Sequence, residues 1–388
     1  MIIILRGRTL LQESISVRQL NAIVFVYLVA NFDLFEPRIV ASKAGGDALV
    51  SVVLATLLAL FLPAIWFSLA RRFPQADIIQ YSLSVLASPL GQAAGAIYLF
   101  MLVLGGARPS SKVGLIGATS FGWGPAVTVP VILVLIIIAA LLARRSLKTI
   151  ASICEYAAPV ATIVVLIVGL TVLGRANWAN YTFPSTNWGP ALRGAVALFS
   201  RFSLAYILLF LLPRTKDAAR TMIYSQGTLL LIGMLMAVGT LSLAVHGASA
   251  TASSLIPSLQ LLRDSILGRS PVAFDLTVAI WMIGLTLKAA IAYWLLSTAL
   301  AEVADAPTQH FLVPVGVVIS LLALLFWSNP GQAYAYVADY SRYINLTGGL
   351  GIPLLLLLVA WVRARRPAST VPQHEETNGV GYHPKAQS

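Results

Sequence analysis

The chain is poor in charge. Only 10% of its 388 residues are Asp, Glu, Lys or Arg, against about 25% in a soluble domain, so it lacks the polar surface that a water-soluble fold needs. It has a single cysteine, Cys154, which excludes an internal disulfide and reads as a small buried hydrophobe on an apolar stretch. Its histidines, His246, His310, His374 and His383, have no metal-ligand spacing to one another or to Cys154, so no metal is expected. There is no G-x-x-x-x-G-K-[ST] phosphate loop, which argues against ATP drive, and no cofactor is implied. No Ser/His/Asp set is spaced for nucleophilic catalysis, so the chain is not read as an enzyme. The opening, Met1–Leu5 followed by Arg6 and Arg8, is too short and wrongly ordered for a cleavable signal peptide; the first apolar span is expected to serve as an uncleaved anchor.

What the chain has instead is apolar length. Hydrophobic residues make up 58% and the mean hydropathy is +0.85. They come in blocks, and a helix needs roughly 20 such residues to cross the hydrocarbon core. The expected fold class is an all-α integral membrane protein with ten transmembrane helices, at residues 17–42, 48–70, 90–113, 125–143, 147–173, 190–213, 219–246, 272–302, 311–327 and 346–362. These make one permease domain over residues 17–363. Residues 1–16 are expected as a cytoplasmic N-terminus and 364–388, polar and Pro- and His-bearing, as a disordered cytoplasmic tail.

The net charge of +12 would suggest nucleic acid in a soluble protein. Here the basic residues cluster at the ends of apolar runs, without the aromatic-interleaved stripe of a nucleic-acid face. That placement suits anionic lipids, and no nucleic-acid partner is expected. Fourteen Lys and Arg fall on one side of the ten-span map, in clusters such as Arg71–Arg72 and Arg144–Arg145. Nine fall on the other, Arg108 and Lys112 among them. Both termini are therefore expected in the cytoplasm. On the outer side, residues 177–189 carry Trp178, Tyr181 and Trp188, suited to an interfacial belt. Residues 254–268 read as a short amphipathic helix with Leu255, Leu259 and Leu262 on one face. Glu155, near the cytoplasmic end of span five, reads as solvated or paired.

Two spans are irregular. The first contains Asn31-Phe32-Asp33-Leu34-Phe35-Glu36-Pro37. A charge at bilayer depth costs roughly 2.5–3.5 kcal/mol, and Pro37 removes a backbone donor. The simplest reading is a broken helix, with one half ending near Ala30 and a second starting near Asp33. The sixth contains Phe199-Ser200-Arg201-Phe202-Ser203, with Arg201 near mid-depth. One and six are corresponding members of two five-helix halves. Interrupted spans at corresponding positions point to a 5+5 inverted-repeat transporter fold with its site at the breaks. Freed N–H groups attract carboxylates and freed carbonyls attract cations or amines, so two breaks can hold both ends of an amino acid. Ordinary kinks relieved by Ser and Asn are the alternative.

A third intramembrane charge, Lys288, sits in the middle of span eight after Thr286. It must face a cavity or a counter-ion. The expectation is that it takes the place of a coupling sodium, pairing with Asp33 or with carbonyls of the first break; a purely structural ion pair is the alternative. Asp33 is further expected to pair with Arg201 across the two breaks. The ion-pair or gating set is thus Asp33, Arg201 and Lys288. Asn31, Asp33, Thr286 and Lys288 are candidate substrate-binding residues.

The chain resembles the spore-germination permeases, the B subunits of nutrient germinant receptors. The resemblance is carried by Ile15-Ser16-Val17-Arg18-Gln19-Leu20, Lys43-Ala44-Gly45-Gly46-Asp47-Ala48 and Ala70-Arg71-Arg72-Phe73-Pro74. It continues in Lys216-Asp217-Ala218-Ala219-Arg220, in Asp275 with Ile280-Trp281 and Lys288, and in the run from Pro330 to Pro353. It covers about residues 15–365. It implies an amino acid–polyamine–organocation type fold and residence in a spore's inner membrane beside an A subunit and a lipoprotein C subunit. It also implies binding of an amino acid or similar small nutrient at the broken helices. It places Ala30 at a small ligand-lining position and Leu204, with Ser203 and Tyr206, at the facing wall. The chain departs from the family at Asn31, Phe32 and Asp33, at Tyr206 where an acid is frequent, and at Arg201. A stand-alone proton-coupled amino-acid transporter and a ligand-free assembly scaffold are the other readings.

Overall fold

A computed structural model describes residues 14–364 apart from 75, 87 and 217. Most of the expected N-terminal segment and nearly all of the expected tail lie outside the described residues. So do the side chains of residues 31–34, although their backbone is helical. The described chain is helical, and its only β-pairing is an isolated bridge between Ile15 and Thr215.

Among the described residues, nine helical stretches are long and apolar enough to cross a membrane, and Val17–Ala30 is a shorter apolar one. The first stretch runs Phe35–Ala70, 36 residues. At 1.5 Å per residue that is about 54 Å, too long for one crossing of a roughly 30 Å core. It is divided at Gly45, whose φ of +57° ends the helix Val17–Ala44 and sends the chain through a 3-10 turn into Ala48–Ala59 and Leu62–Ala70. Ten spans result. The later ones are Ser88–Phe121, Pro125–Ala143, Leu147–Val172 and the sixth, which starts as Gly189–Phe202. Then come Ala218–Gly239 continued by Leu241–His246, Pro271–Ala304 and Gln309–Ser328. The last is Ser341–Leu346 continued by Ile352–Ala364.

The packing separates inner from outer spans. The most apolar window of the sixth span is 83% buried, whereas those of the fifth and ninth are 17% buried and turn Leu170 and Leu321 outward, as lipid-facing helices do. The first span packs on the sixth, seventh, fifth and eighth, and the third packs on the eighth and ninth. The inner bundle is therefore spans one, three, six and eight.

Two expectations need adjustment. The unwinding expected at Ala30–Asp33 is not present: the first helix runs unbroken from Val17 to Ala44 with Pro37 inside it. A proline costs a helix only its own donor and a local kink, and Lys288 serves a carbonyl of this helix from outside. The sixth span is interrupted, one step later than the Ser200–Ser203 stretch suggests. It passes into a 3-10 turn at Ser203–Ile207, a single α-turn Leu208–Leu211 and a second 3-10 turn at Leu212–Arg214.

A further irregularity lies in the tenth span, where Thr347–Gly351 forms a π-turn. Its released carbonyls find side-chain donors: Tyr98 Oη donates to Gly348 O at 2.7 Å and Trp66 Nε1 donates to Gly349 O at 2.7 Å. A Cβ on Gly349 would run into the backbone and side chain of Ser203. The glycines thus let the π-turn of span ten nest against the 3-10 turn of span six.

Outside the bundle, Pro257–Asp264 forms a short helix that buries Leu259 and Leu262, while Leu255 stays exposed. Trp178 and Trp188 are exposed. Tyr181 is anchored, its hydroxyl donating to Thr240 O at 2.9 Å. Glu155 pairs with Arg18 at 3.2 Å. Cys154 is buried.

Candidate functional site

The third span decides the character of the centre. Arg108 and Lys112 were expected near its outer rim. The helix instead continues to Phe121, where Gly122 at φ +69° ends it. Ser110 and Ser111 return their hydroxyls to the carbonyls of Gly106 and Arg108, so both fit inside an apolar helix. Lys112 is thereby buried. Gly105, Arg108 and Lys112, spaced for one helical face, all line a central cavity. Pro109 cannot donate to the Gly105 carbonyl, which leaves a further acceptor on that face.

The cavity is small, about 20 Å³, enough for about one water. Its wall comprises Tyr27 and Glu36 from span one; Met101, Leu104, Gly105, Arg108 and Lys112 from span three; Arg201 and Leu204 from span six; Lys288 from span eight; and Asn345 from span ten.

Each cation is held in its own way. Lys288 Nζ donates to the Tyr27 carbonyl at 2.6 Å and lies 4.3 Å from the centre of the Tyr27 ring. Lys112 Nζ lies 4.6 Å from the Phe35 ring centre, and the Arg108 guanidinium 5.4 Å from that of Tyr336. These are cation–π distances, and such contacts gain strength where water is excluded. Arg201 Nη1 donates to Ser341 Oγ at 2.7 Å, and its Nε is 3.7 Å from Glu36 Oε1. Polar groups remain unpaired. Among the described residues, neither end of the Asn345 amide has a hydrogen-bond partner, nor has Glu36 Oε2, although both residues are buried. Buried polar atoms left in that condition are uncommon and call for an explanation.

Sequence reasoning placed the ion pair between Arg201 and Asp33. The structure shows Arg201 beside Glu36, one turn further along the same helix; the Asp33 and Asn31 side chains lie outside the described residues. Leu204 and Lys288 line the cavity. Ala30 is half-buried opposite Gly284 of span eight. Ser203 returns its hydroxyl to Phe199 O and Thr286 to Met282 O. Tyr206 packs with Tyr98 and Phe210. These last three are not in the cavity wall. Arg108, Lys112, Glu36 and Asn345 were missed as site residues. The legible signal was the apolar Leu115-Ile116 stretch after Lys112, which shows that the helix does not end there.

Ion pairs tie the spans together toward both ends of the bundle. At the end carrying Ile15, Arg214 from the close of span six pairs with Glu302 from the close of span eight, Gln80 Nε2 donates to Glu302 at 3.3 Å, and the Arg214 guanidinium lies 5.6 Å from the Trp294 ring centre. At the opposite end, Lys43 pairs with Asp339 at 3.0 Å, and Arg38 Nε donates to Ala252 O at 3.1 Å.

A polar chamber walled by three regular helices and two irregular ones, with ion pairs toward either end, is the arrangement of a multi-pass transporter-type membrane protein. Comparison with solved structures agrees on the fold. The chain superposes on Mhp1, a nucleobase-cation-symport-1 family transporter closed around bromovinylhydantoin, with a TM-score of 0.63 at 11% identity, over 91% of this chain and 94% of that one. It superposes on MhsT in complex with L-phenylalanine with a TM-score of 0.63 at 13% identity, over 88% and 98%. A substrate-bound, outward-open sodium-coupled sialic acid symporter gives 0.62 at 10% identity, over 92% and 85%. The fold is thus the five-plus-five inverted repeat of these transporters.

A family model described as "Spore germination protein" matches residues 14–330, and the chain belongs to that family of spore germination permeases. Spore germination protein YndE of Bacillus subtilis (strain 168) is 24% identical over 374 residues, 91% of this chain and 98% of that protein.

Proposed function

We propose that this chain is the permease-like subunit of a spore nutrient germinant receptor. It binds a small amino acid or related nutrient in the central cavity and passes the signal to an A subunit and a lipoprotein C subunit. In this reading it sits in the spore inner membrane, with the Ile15 end and both termini on the cytoplasmic side. The observation that carries it is the polar chamber itself. Four basic side chains, one acid and an unpartnered amide lie together inside an apolar bundle. Such groups are retained at membrane depth for a ligand or ion path rather than for stability.

Signalling is then a population shift. A ligand that holds spans one, three, six and eight more tightly in one arrangement favours that arrangement, by no more than its difference in affinity for the two. The paired latches at the two ends also suit alternating access, which keeps the stand-alone transporter as a second reading. Two measurements separate them. Thermal unfolding of the purified chain against a panel of amino acids and organic acids tests for a ligand, and Leu204→Trp, which fills the chamber, should abolish any shift. Uptake of the stabilising compound into vesicles, collapsed by an uncoupler, would favour transport. Stabilisation without uptake, together with co-purification of A and C subunits, fits the receptor. A panel that moves nothing would count against both and favour the scaffold.

A further inference from the structure

We infer that the ligand of the central cavity is a small dicarboxylate, an acid with two carboxylate groups. This rests on the reading of that cavity as a ligand site and narrows its chemistry. Arg108, Lys112, Arg201 and Lys288 line the chamber, and Glu36 is the acid of its described wall. Four basic side chains against one acid leave a formal excess of three. Counting Asp33 as a second acid still leaves two. Hydrogen bonds, ion pairs and aromatic faces hold these cations in place, but none of that changes the sum of formal charge. Charge buried in an apolar bundle is poorly screened, so the excess acts as a standing attraction for anions.

A zwitterionic amino acid brings no net charge and leaves the excess as it was. A cationic one adds to it. A dicarboxylate cancels two charges, and its planar groups match guanidinium forks, which Arg108 and Arg201 bring to the same chamber from spans three and six.

The second observation is independent of charge. Asn345 is 1% exposed, lines the same chamber and, among the described residues, has a partner at neither amide end. Its Nδ2 is a ready donor to a carboxylate oxygen, while its Oδ1 and Glu36 Oε2 are acceptors without donors. An amino group beside the carboxylates would satisfy those two. Plain dicarboxylic acids and acidic amino acids share the two carboxylates and differ only in that group. The chamber as it stands holds about one water, so entry of a four-carbon acid requires Leu204 and Met101 to draw back. Binding is therefore coupled to movement of spans six and three.

The test is thermal unfolding of the full chain in detergent. The probes are succinate, L-aspartate, L-alanine, L-lysine and sodium sulfate at matched ionic strength. Succinate or L-aspartate, or both, should raise the midpoint by several degrees, while L-alanine, L-lysine and sulfate do not. Succinate alone marks the plain acid, and L-aspartate alone the amino acid. Asn345→Leu and Lys112→Met should each weaken the effect at least about tenfold in half-maximal concentration. Arg144→Gln, far from the chamber, should leave it unchanged. Unliganded midpoints and gel-filtration profiles show which variants fold, and Lys112→Arg, which keeps the charge, should retain the response if Lys112→Met does not fold. A shift with L-alanine but not with the diacids leaves the ligand site standing and overturns the dicarboxylate. An equal shift with sulfate means an adventitious ion only and overturns it too. No shift with any probe removes both the dicarboxylate and the ligand site.

Discussion

Lys288 Nζ reaches the carbonyl of Tyr27 at 2.6 Å, so a cation from the middle of the eighth span caps an acceptor within the first. The contact lies where a broken helix was expected, and it joins the two spans at the depth of the chamber. Losing it leaves the Tyr27 carbonyl unserved from that side, while removing one like charge from a crowded cluster partly offsets the loss. The effect should therefore be local. In Lys288→Met, amide exchange over residues 23–30 should quicken at least about tenfold, the equivalent of roughly 1.4 kcal/mol. Exchange in the seventh span should stay unchanged. Equal protection in both proteins would show that the bond carries no restraint.

Arg201 and Glu36, 3.7 Å apart and both buried, should behave asymmetrically. Glu36→Gln deletes the acid from a cation-rich wall and strands more positive charge, which in a buried pair costs about 3–5 kcal/mol. Arg201→Gln relieves the excess and should cost less. The double variant should recover at least about 1 kcal/mol relative to the sum of the two singles. Reversible unfolding in detergent measures all four corners, and strict additivity would mean that the two groups do not sense each other.

Gly349 tests the nesting of the two irregular turns. A methyl there meets Ser203 backbone, so Gly349→Ala should lower stability by about 1–3 kcal/mol, the usual cost of overpacking. Gly174, with open space around it, serves as the control, and Gly174→Ala should change little. Equal midpoints for the two variants would show that spans six and ten slide freely past each other.

The latch at the Ile15 end should control access. Glu302 joins Arg214 and Gln80, and Glu302→Gln removes the charge that holds them. A cysteine placed at Leu204, on the chamber wall, should then react several-fold faster with a water-soluble maleimide. Cys154 is buried and contributes little background. Labelling that stays as slow as with the latch intact would place the controlling barrier elsewhere.

The spans were legible because each needs a long apolar run, and such runs have few other uses. The interruption in span six was legible within a few residues because Arg201 and its serines cannot sit in lipid. The first helix was misjudged. Asn31, Asp33 and Pro37 look like a break in one dimension, but the backbone carries through them as one α-helix from Val17 to Ala44. Arg108 and Lys112 were read as rim charges because a loop was assumed to follow them. Only the folded chain shows that two more turns of helix carry them inward, where Phe35 and Tyr336 receive them. The π-turn at Thr347–Gly351 is not legible in the sequence, since the donors to its carbonyls, Tyr98 and Trp66, come from distant spans.

The bridge between Ile15 and Thr215 holds a last implication. Two backbone hydrogen bonds, Ile15 N to Arg214 O at 2.9 Å and Lys216 N to Ile15 O at 3.0 Å, stitch Ile15, just ahead of the first span, to the tail of the sixth. When the sixth span tilts, Ile15 must travel with it or the stitch must tear. Ile15 is thereby geared to the interior, and a protein gripping it from outside the bilayer would feel the chamber open as a pull.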